Sequence, residues 1–250
     1  FGWTFEPLGI DLGIFRTANY TLIRHQGRLI GGMVDARDLG ARNPAELSQW
    51  VVVMSVADID AAVVSVVEQG GVLRQGPVDL AERGWLAVVE DVRGARLALL
   101  ETRDGDPADS RLAVGGFLWD EVWTDDLDAT ADFYADVAGL RSVDATLARG
   151  GSYRVLQSQT VPRAGVLPTP MPGLPPTWVS YIRVEDAGAI VQRVPGLGGA
   201  VLVGVTPRGV GGEAALIADP SGAGIAVQTW TPGLVGGESV PRDERAASGD

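Results

Sequence analysis

From Trp50 to Val56 the chain is a β-rich apolar run, and after it the period changes. Between Asp58 and Gln69 the apolar residues fall at helical spacing, and Gly70-Gly71 supplies the stop. Three short runs of strand character follow: Val72 to Arg74, Trp85 to Glu90 and Arg96 to Glu101. The predicted order is βαβββ. It recurs downstream, with Phe117 to Trp123 as strand, Leu127 to Val137 as helix, and strands at Arg141 to Val143, Tyr153 to Gln157 and Ala164 to Leu167.

The recurrence is a true internal repeat. A shift of 128 positions superposes Trp50 on Trp178, Asp58 on Asp186, Gly70-Gly71 on Gly198-Gly199, Gly84 on Gly212, Asp91 on Asp219 and Gly94-Ala95 on Gly222-Ala223, with no gap. Glycines kept in step predict the same turns twice, because glycine reaches backbone conformations that strain other residues. A weaker match, offset by 133, relates Tyr20 to Tyr153 and Gly32-Met33 to Gly165-Val166. The chain therefore reads as four units. Projecting the third unit back through Gly139 and Gly2, an offset of 137, puts the partner of Phe117 about twenty positions ahead of residue 1. The first strand and most of the first helix are then expected to be missing from the first unit; the alternative is a unit that naturally lacks them and leaves an open sheet edge.

Asp35 to Gln49, Arg103 to Gly115 and the proline-rich Pro168 to Pro176 read as linkers, the last stiff and extended. From Pro232 to Asp250 the residues are small and charged without periodicity, which predicts a flexible tail.

The third unit's Trp123-Thr124-Asp125-Asp126-Leu127-Asp128-Ala129, leading into Phe133-Tyr134 and Ala138-Gly139-Leu140, resembles the strand, polar turn and "FY…GL" helix of the vicinal oxygen chelate superfamily, which includes glyoxalases, bleomycin-resistance proteins and dioxygenases. Ala218-Asp219-Pro220-Ser221-Gly222 resembles its "DPxG" hairpin, and Phe1-Gly2-Trp3 the "FGW" that closes the first helix of tandem members. The resemblance implies an α+β fold: tandem glyoxalase-like domains of βαβββ units, the first truncated, with curled mixed sheets around a cleft. An N-terminal domain would occupy 1–103, a C-terminal domain 115–231 and the tail 232–250. Metal-dependent members place a His on the first strand of a unit and a Glu on the last. Here those positions fall on Trp119, near Val51 and Val179, and on Ala98 and Ala226, none of which can ligate a divalent cation. The chain's one histidine, His25, cannot complete a two-histidine site, so neither a metal nor another cofactor is expected.

Alternation along a strand puts Trp119, Glu121 and Trp123 on one face, the cleft face by resemblance. They suit a planar or apolar ligand that stacks on the rings and donates one hydrogen bond to the acid; the duller reading is that the tryptophans fill the sheet interior and Glu121 has a basic partner. By the same alternation Val179, Tyr181 and Arg183 share a face, as do Ala226 and Gln228. Arg183 could pair with Glu121 or hold an anionic group of a ligand, and Gln228 could hydrogen-bond a ligand or meet solvent. His25, before the Gln26-Gly27 turn, reads as solvent-exposed, and Asp125, Asp126 and Asp219 as turn and cap residues.

Composition narrows the partners. With 32 acidic against 20 basic residues the net charge is −12, which repels nucleic acid. No apolar stretch is long enough for a membrane-spanning helix. The absence of cysteine removes disulfides and thiolate chemistry. Localisation stays open, since the chain starts at Phe1 and a leader upstream would be invisible. Three functions fit: a metal-independent small-molecule binder with an aromatic cleft; a lyase, isomerase or dioxygenase using Glu121 with Arg183 or an unusual metal site; and a dimerisation or interaction module, a homodimer for instance, whose cleft is filled.

Overall fold

The computed structural model describes residues 1–10, 18–35, 37, 48–80, 83–106, 109, 113–147 and 150–230. The tail at 232–250 and most of the 35–49 linker lie outside the described residues. The first unit supplies β1 (Trp3–Ile10), β2 (Ala18–His25) and β3 (Arg28–Val34). The second runs β4 (Val53–Ser55), α1 (Ile59–Glu68), β5 (Val72–Asp79), β6 (Trp85–Glu90) and β7 (Arg96–Glu101). The third runs β8 (Phe117–Thr124), α2 (Leu127–Ala138), β9 (Arg141–Asp144), β10 (Arg154–Ser158) and β11 (Val161–Pro168). The fourth runs β12 (Thr177–Val184), α3 (Ala187–Arg193), β13 (Ala200–Pro207), β14 (Glu213–Ala218) and β15 (Gly224–Thr229). Three units thus show the expected βαβββ order, and the first shows three strands and no helix among the described residues.

Each helix starts the same way. The side chains of Asp58, Asp126 and Asp186 accept from the backbone N–H of Ala61, Ala129 and Ala189 at 2.8, 3.0 and 2.9 Å, satisfying a donor that the first turn leaves unpaired. The matched glycines also have matched causes. A side chain at Gly71 would press on Val66 and the carbonyl of Glu90, and at Gly199 on Val194 and the carbonyl of Ala218, every pair 128 apart. The weaker 133 match has a cause too: the Tyr20 ring lies across Gly32 and the Tyr153 ring across Gly165, where a Cβ would overlap each hydroxyl.

The third and fourth units share one eight-stranded sheet, ordered β13-β14-β15-β12-β8-β11-β10-β9. β8 sits inside it, parallel to β11 with Glu121 opposite Gly165, and antiparallel to β12 with Glu121 opposite Val179 and Trp119 opposite Tyr181. The first half forms two sheets, β1-β2-β3 and β4-β7-β6-β5. These reproduce the two flanks of the large sheet strand for strand, with no described strand in the place of β8.

On the helix side of the sheets, α1 and α2 enclose a common core containing Val66, Leu97, Leu99, Phe133, Tyr134, Leu156 and Trp178. Burying each large side chain contributes roughly 1.5–3 kcal/mol. Tyr134 also ties three units together: its hydroxyl donates to Asp91 Oδ2 at 2.9 Å and accepts from Trp178 Nε1 at 2.8 Å. A second core around α3 holds Ile182, Ile217 and Val227, with Trp3, Trp50 and Phe117 packed against it. The three rings meet at centroid distances of 5.9–6.1 Å. Trp50 belongs to this aromatic contact and not to a strand, which is why β4 is shorter than the expected run from Trp50 to Val56.

The proline-rich linker is not simply extended. A turn bonds Leu174 N–H to the Met171 carbonyl at 3.2 Å, and Leu167, Met171 and Leu174 pack onto the sheet face away from the helix-side cores, the concave face by the family resemblance. Apolar side chains between the prolines supply the reason.

Candidate active site on the concave face

Alternation along β8 holds from Trp119 to Trp123 and breaks before it, where a register shift against β12 puts Phe117 in the α3 core and Leu118 beside Trp119. Val122 points to the helix-side core, whereas Trp119 and Trp123 belong to the concave cluster with Val179, Tyr181, Leu216 and Ala226. Glu121 lies among them with no exposed surface. A buried carboxylate is unfavourable unless it is paired and hydrogen-bonded, and this one is met on every side. Oε1 accepts from the Tyr153 hydroxyl at 2.9 Å and from the Arg208 guanidinium. Oε2 accepts from the Tyr181 hydroxyl at 2.6 Å and from Trp123 Nε1 at 3.4 Å. Behind Tyr153 stands Trp119, whose Nε1 donates to the tyrosine hydroxyl at 2.8 Å. The Arg208 guanidinium lies 4.8 Å from the centroid of the Tyr181 ring, a cation–π contact.

The electrostatics follow from this packing. Burial, with the Glu121 charge added, holds the hydroxyls of Tyr153 and Tyr181 above the usual phenol range, so both remain donors. Burial opposes the charge on Arg208, but Glu121 and the two tyrosine oxygens outweigh it and the guanidinium is held more firmly protonated. On the opposite face of β8, Asp120 accepts from Ser180 Oγ at 2.5 Å. Burial, joined by the Glu121 charge and opposed by that hydroxyl, lifts Asp120 to about 6.

All six expected side chains have definite places. Trp119, Glu121, Trp123 and Tyr181 are brought together as alternation predicts. Gln228 is buried, and its Nε2 donates to the Gly211 carbonyl at 3.0 Å, anchoring the turn that carries Arg208. Of the two roles open to Arg183, the pairing with Glu121 falls to Arg208 instead. Arg183 sits opposite Gln228 on β15, four residues beyond Val179, which faces Glu121. That is roughly 13 Å along the strand, and the Arg183 guanidinium lies 5.4 Å from the Trp230 ring centroid. Sequence reasoning missed Tyr153 and Arg208. The match of Tyr20-Gly32 to Tyr153-Gly165 was a usable signal for the first; Arg208 gave none, being separated from Glu121 by 87 positions.

His25 is a correction. It is buried, with 8% of its surface exposed, because Gly115 and Gly116 lie against its ring, and backbone bonds to Arg183 hold those glycines in place. Asp126 caps α2 and Asp219 accepts from Ser221 and Ala223 N–H in its turn, as expected, while Asp125 pairs with Arg93.

The positions where metal-dependent relatives of this fold hold their ion do not fit one here. Trp119, Val179 and Ala226 line the concave face without a ligating atom, and no three His, Cys, Asp or Glu side chains converge among the described residues. Glu121 already accepts four donors and could act as a base only by losing one. Surface grooves lie elsewhere: one of about 680 Å³ runs between α1 and α2, past Asp58, Glu101 and Asp136, and one of about 560 Å³ reaches Tyr153 from the start of α2.

Comparison with known proteins agrees with the architecture. The family described as Glyoxalase/Bleomycin resistance protein/Dioxygenase superfamily matches residues 114–227. "Putative glyoxylase CFP32" of Mycobacterium tuberculosis (strain CDC 1551 / Oshkosh) is 32% identical over 73% of this chain and 70% of its own. "Anthracycline biosynthesis protein DnrV" of Streptomyces peucetius is 30% identical over 96% of this chain and 90% of its own. Among solved structures, the Mn(II)-bound glyoxalase from Novosphingobium aromaticivorans aligns with a TM-score of 0.52 at 18% identity, covering 91% of this chain and 74% of that one, a likeness of fold. No helix among the described residues is long and apolar enough to cross a membrane. By repeat, fold and relatives alike, the chain belongs to the glyoxalase/bleomycin resistance protein/dioxygenase superfamily.

Proposed function

We propose that the chain binds a planar, largely apolar small molecule, without a metal, on the concave face of its C-terminal half, with 115–231 acting as the ligand domain and 1–103 as its companion. One observation carries this: a charge-balanced Glu121–Arg208 pair is walled by Trp119, Trp123 and Tyr181, where metal-dependent members would carry ligands. Trp119, Met171 and Leu174 cover the cluster while only partly buried, so they can yield to a ring system. The names of two relatives refer to anthracyclines, which are fused-ring aromatics, and this fits the same ligand class.

Saturation-transfer NMR with naphthalene as a bare planar probe tests the reading. Enhancement is expected for the whole chain, with at least tenfold weaker binding in Trp119→Ala, since one stacked ring contributes roughly 0.5–1.5 kcal/mol beyond its buried area. The tight packing of the cluster, with Tyr181 2% and Trp123 5% exposed, supports a second reading, an interaction module whose cleft is core. That reading expects no enhancement, together with a concentration-dependent mass in sedimentation.

A further inference from the structure

Resting on the aromatic-cleft reading above, we propose that the ligand is a neutral ring carrying a carbonyl or quinone oxygen, recognised by the Arg208 Nε–H and not by Glu121. The residues invite the opposite polarity, an acid awaiting a ligand's hydroxyl. Valence decides otherwise. An ionised carboxylate has about four acceptor positions, and Tyr153, Tyr181, Trp123 and Arg208 occupy those of Glu121. The Tyr153 proton is committed to Glu121 while its oxygen receives Trp119, and the Gln228 amide is committed to Gly211.

What remains unused is a donor. Among the described residues three buried side-chain polar atoms have no partner: Arg96 Nε, Thr169 Oγ1 and Arg208 Nε. Arg96 lies on β7 and pairs with Glu90, in the other half of the chain. The remaining two border the concave cluster. Thr169 sits between Leu167 and Met171, which pack on the cluster, and Arg208 reaches into it from the β13–β14 turn. A buried N–H without an acceptor is unfavourable, and a ligand oxygen placed beside Nε would relieve it.

Charge selects a neutral oxygen. Arg208 and Glu121 cancel, and both tyrosines stay protonated, so an anionic ligand would leave the cluster with a net negative charge inside a chain of net charge −12. The partly buried Trp119 ring supplies stacking for the rest of the molecule. Entry falls to the partly buried cover, Trp119, Met171 and Leu174, and to the glycine-rich turn from Arg208 to Gly212, where Gly211 and Gly212 hold φ of 104° and 72°.

Isothermal titration of the full chain with three probes tests this: 1,4-naphthoquinone, naphthalene and 2-naphthoate. The chain has neither cysteine nor lysine, so quinone addition to side chains does not confuse the result. The quinone is expected to bind at least tenfold more tightly than naphthalene, as suits a hydrogen bond from a charged donor, and more tightly than the naphthoate. Arg208→Lys, which keeps a cation for Glu121 but removes the Nε–H, is expected to weaken the quinone about tenfold more than it weakens naphthalene. Equal affinity for quinone and naphthalene, tighter binding of the naphthoate, or an unchanged preference in Arg208→Lys overturns the proposal while leaving the cleft reading intact. Binding of none of the probes overturns both. The wild-type comparison decides even if the variant does not fold.

Discussion

The two halves of the chain carry the same repeat, and among the described residues they differ in one strand and one helix, β8 and α2. In the C-terminal half Val166 and Tyr181 flank β8 and are 0% and 2% exposed; their counterparts Met33 and Val53 are 51% and 53% exposed. The tyrosine differs in the same way. Tyr153 is buried between Trp119 and Glu121, whereas the half-buried Tyr20 hydroxyl receives, among the described residues, the Arg83 guanidinium at 3.0 Å. The repeat therefore supplies a scaffold and a tyrosine twice, but β8 converts them into a closed polar cluster by adding Glu121 and two tryptophans.

The largest break in that comparison comes from removing the arginine in each half. Arg208→Met leaves Glu121 charged, buried and without a counter-ion, a defect of about 3–5 kcal/mol. Arg83→Met removes a contact to a half-buried hydroxyl and should cost about 1 kcal/mol. Urea unfolding of the two variants reads both, and equal losses would mean that β8 gives the second cluster no special status.

The sequence carried the scaffold well because the repeat is local. Gly71 and Gly199 have to stay bare against a valine five residues back and a carbonyl nineteen residues on, and Asp58 and Asp186 cap their own helices, so each signal has a cause within its own unit. Alternation likewise placed Glu121 and Tyr181 on one face. It specifies a face but not a position along the strand, so it could not separate Arg183 from Glu121. Arg208 and the buried His25 depend on segments brought together from other units, which no spacing within the chain expresses. The metal positions were legible as aromatic and aliphatic residues; the shared donors around Glu121 were not.

A smaller effect distinguishes the two faces of β8. Asp120, at about 6 in the folded chain against 3.8 for the ordinary carboxyl, holds its proton more tightly folded than unfolded. The sign follows: stability falls as pH rises from about 4 to about 6, because the unfolded chain ionises first, and the loss is about 2–3 kcal/mol by linkage. Asp120→Asn should remove that slope. Denaturation of wild type and variant between pH 4 and pH 7 checks it, and parallel curves would place the titration elsewhere. The first half has no equivalent contact, because Val52 stands where the fourth unit has Ser180.

The smallest effect compares the two tyrosine–glycine crossings. A methyl group at Gly165 would meet the Tyr153 hydroxyl and approach the Glu121 side chain at 3.2 Å. That ring cannot retreat, because Trp119 and Glu121 hold its oxygen, so overpacking of about 1–3 kcal/mol is expected for Gly165→Ala. At Gly32 the nearest atoms to the same methyl group all belong to the Tyr20 ring, which is half-buried and can swing outward with Arg83. Gly32→Ala should cost less than about 1 kcal/mol, within the range of a tolerated substitution. Thermal unfolding of the pair measures the difference, and a Gly32→Ala loss as large as that of Gly165→Ala would show that the tyrosine of the first half is held as tightly as that of the second with no described strand in the place of β8.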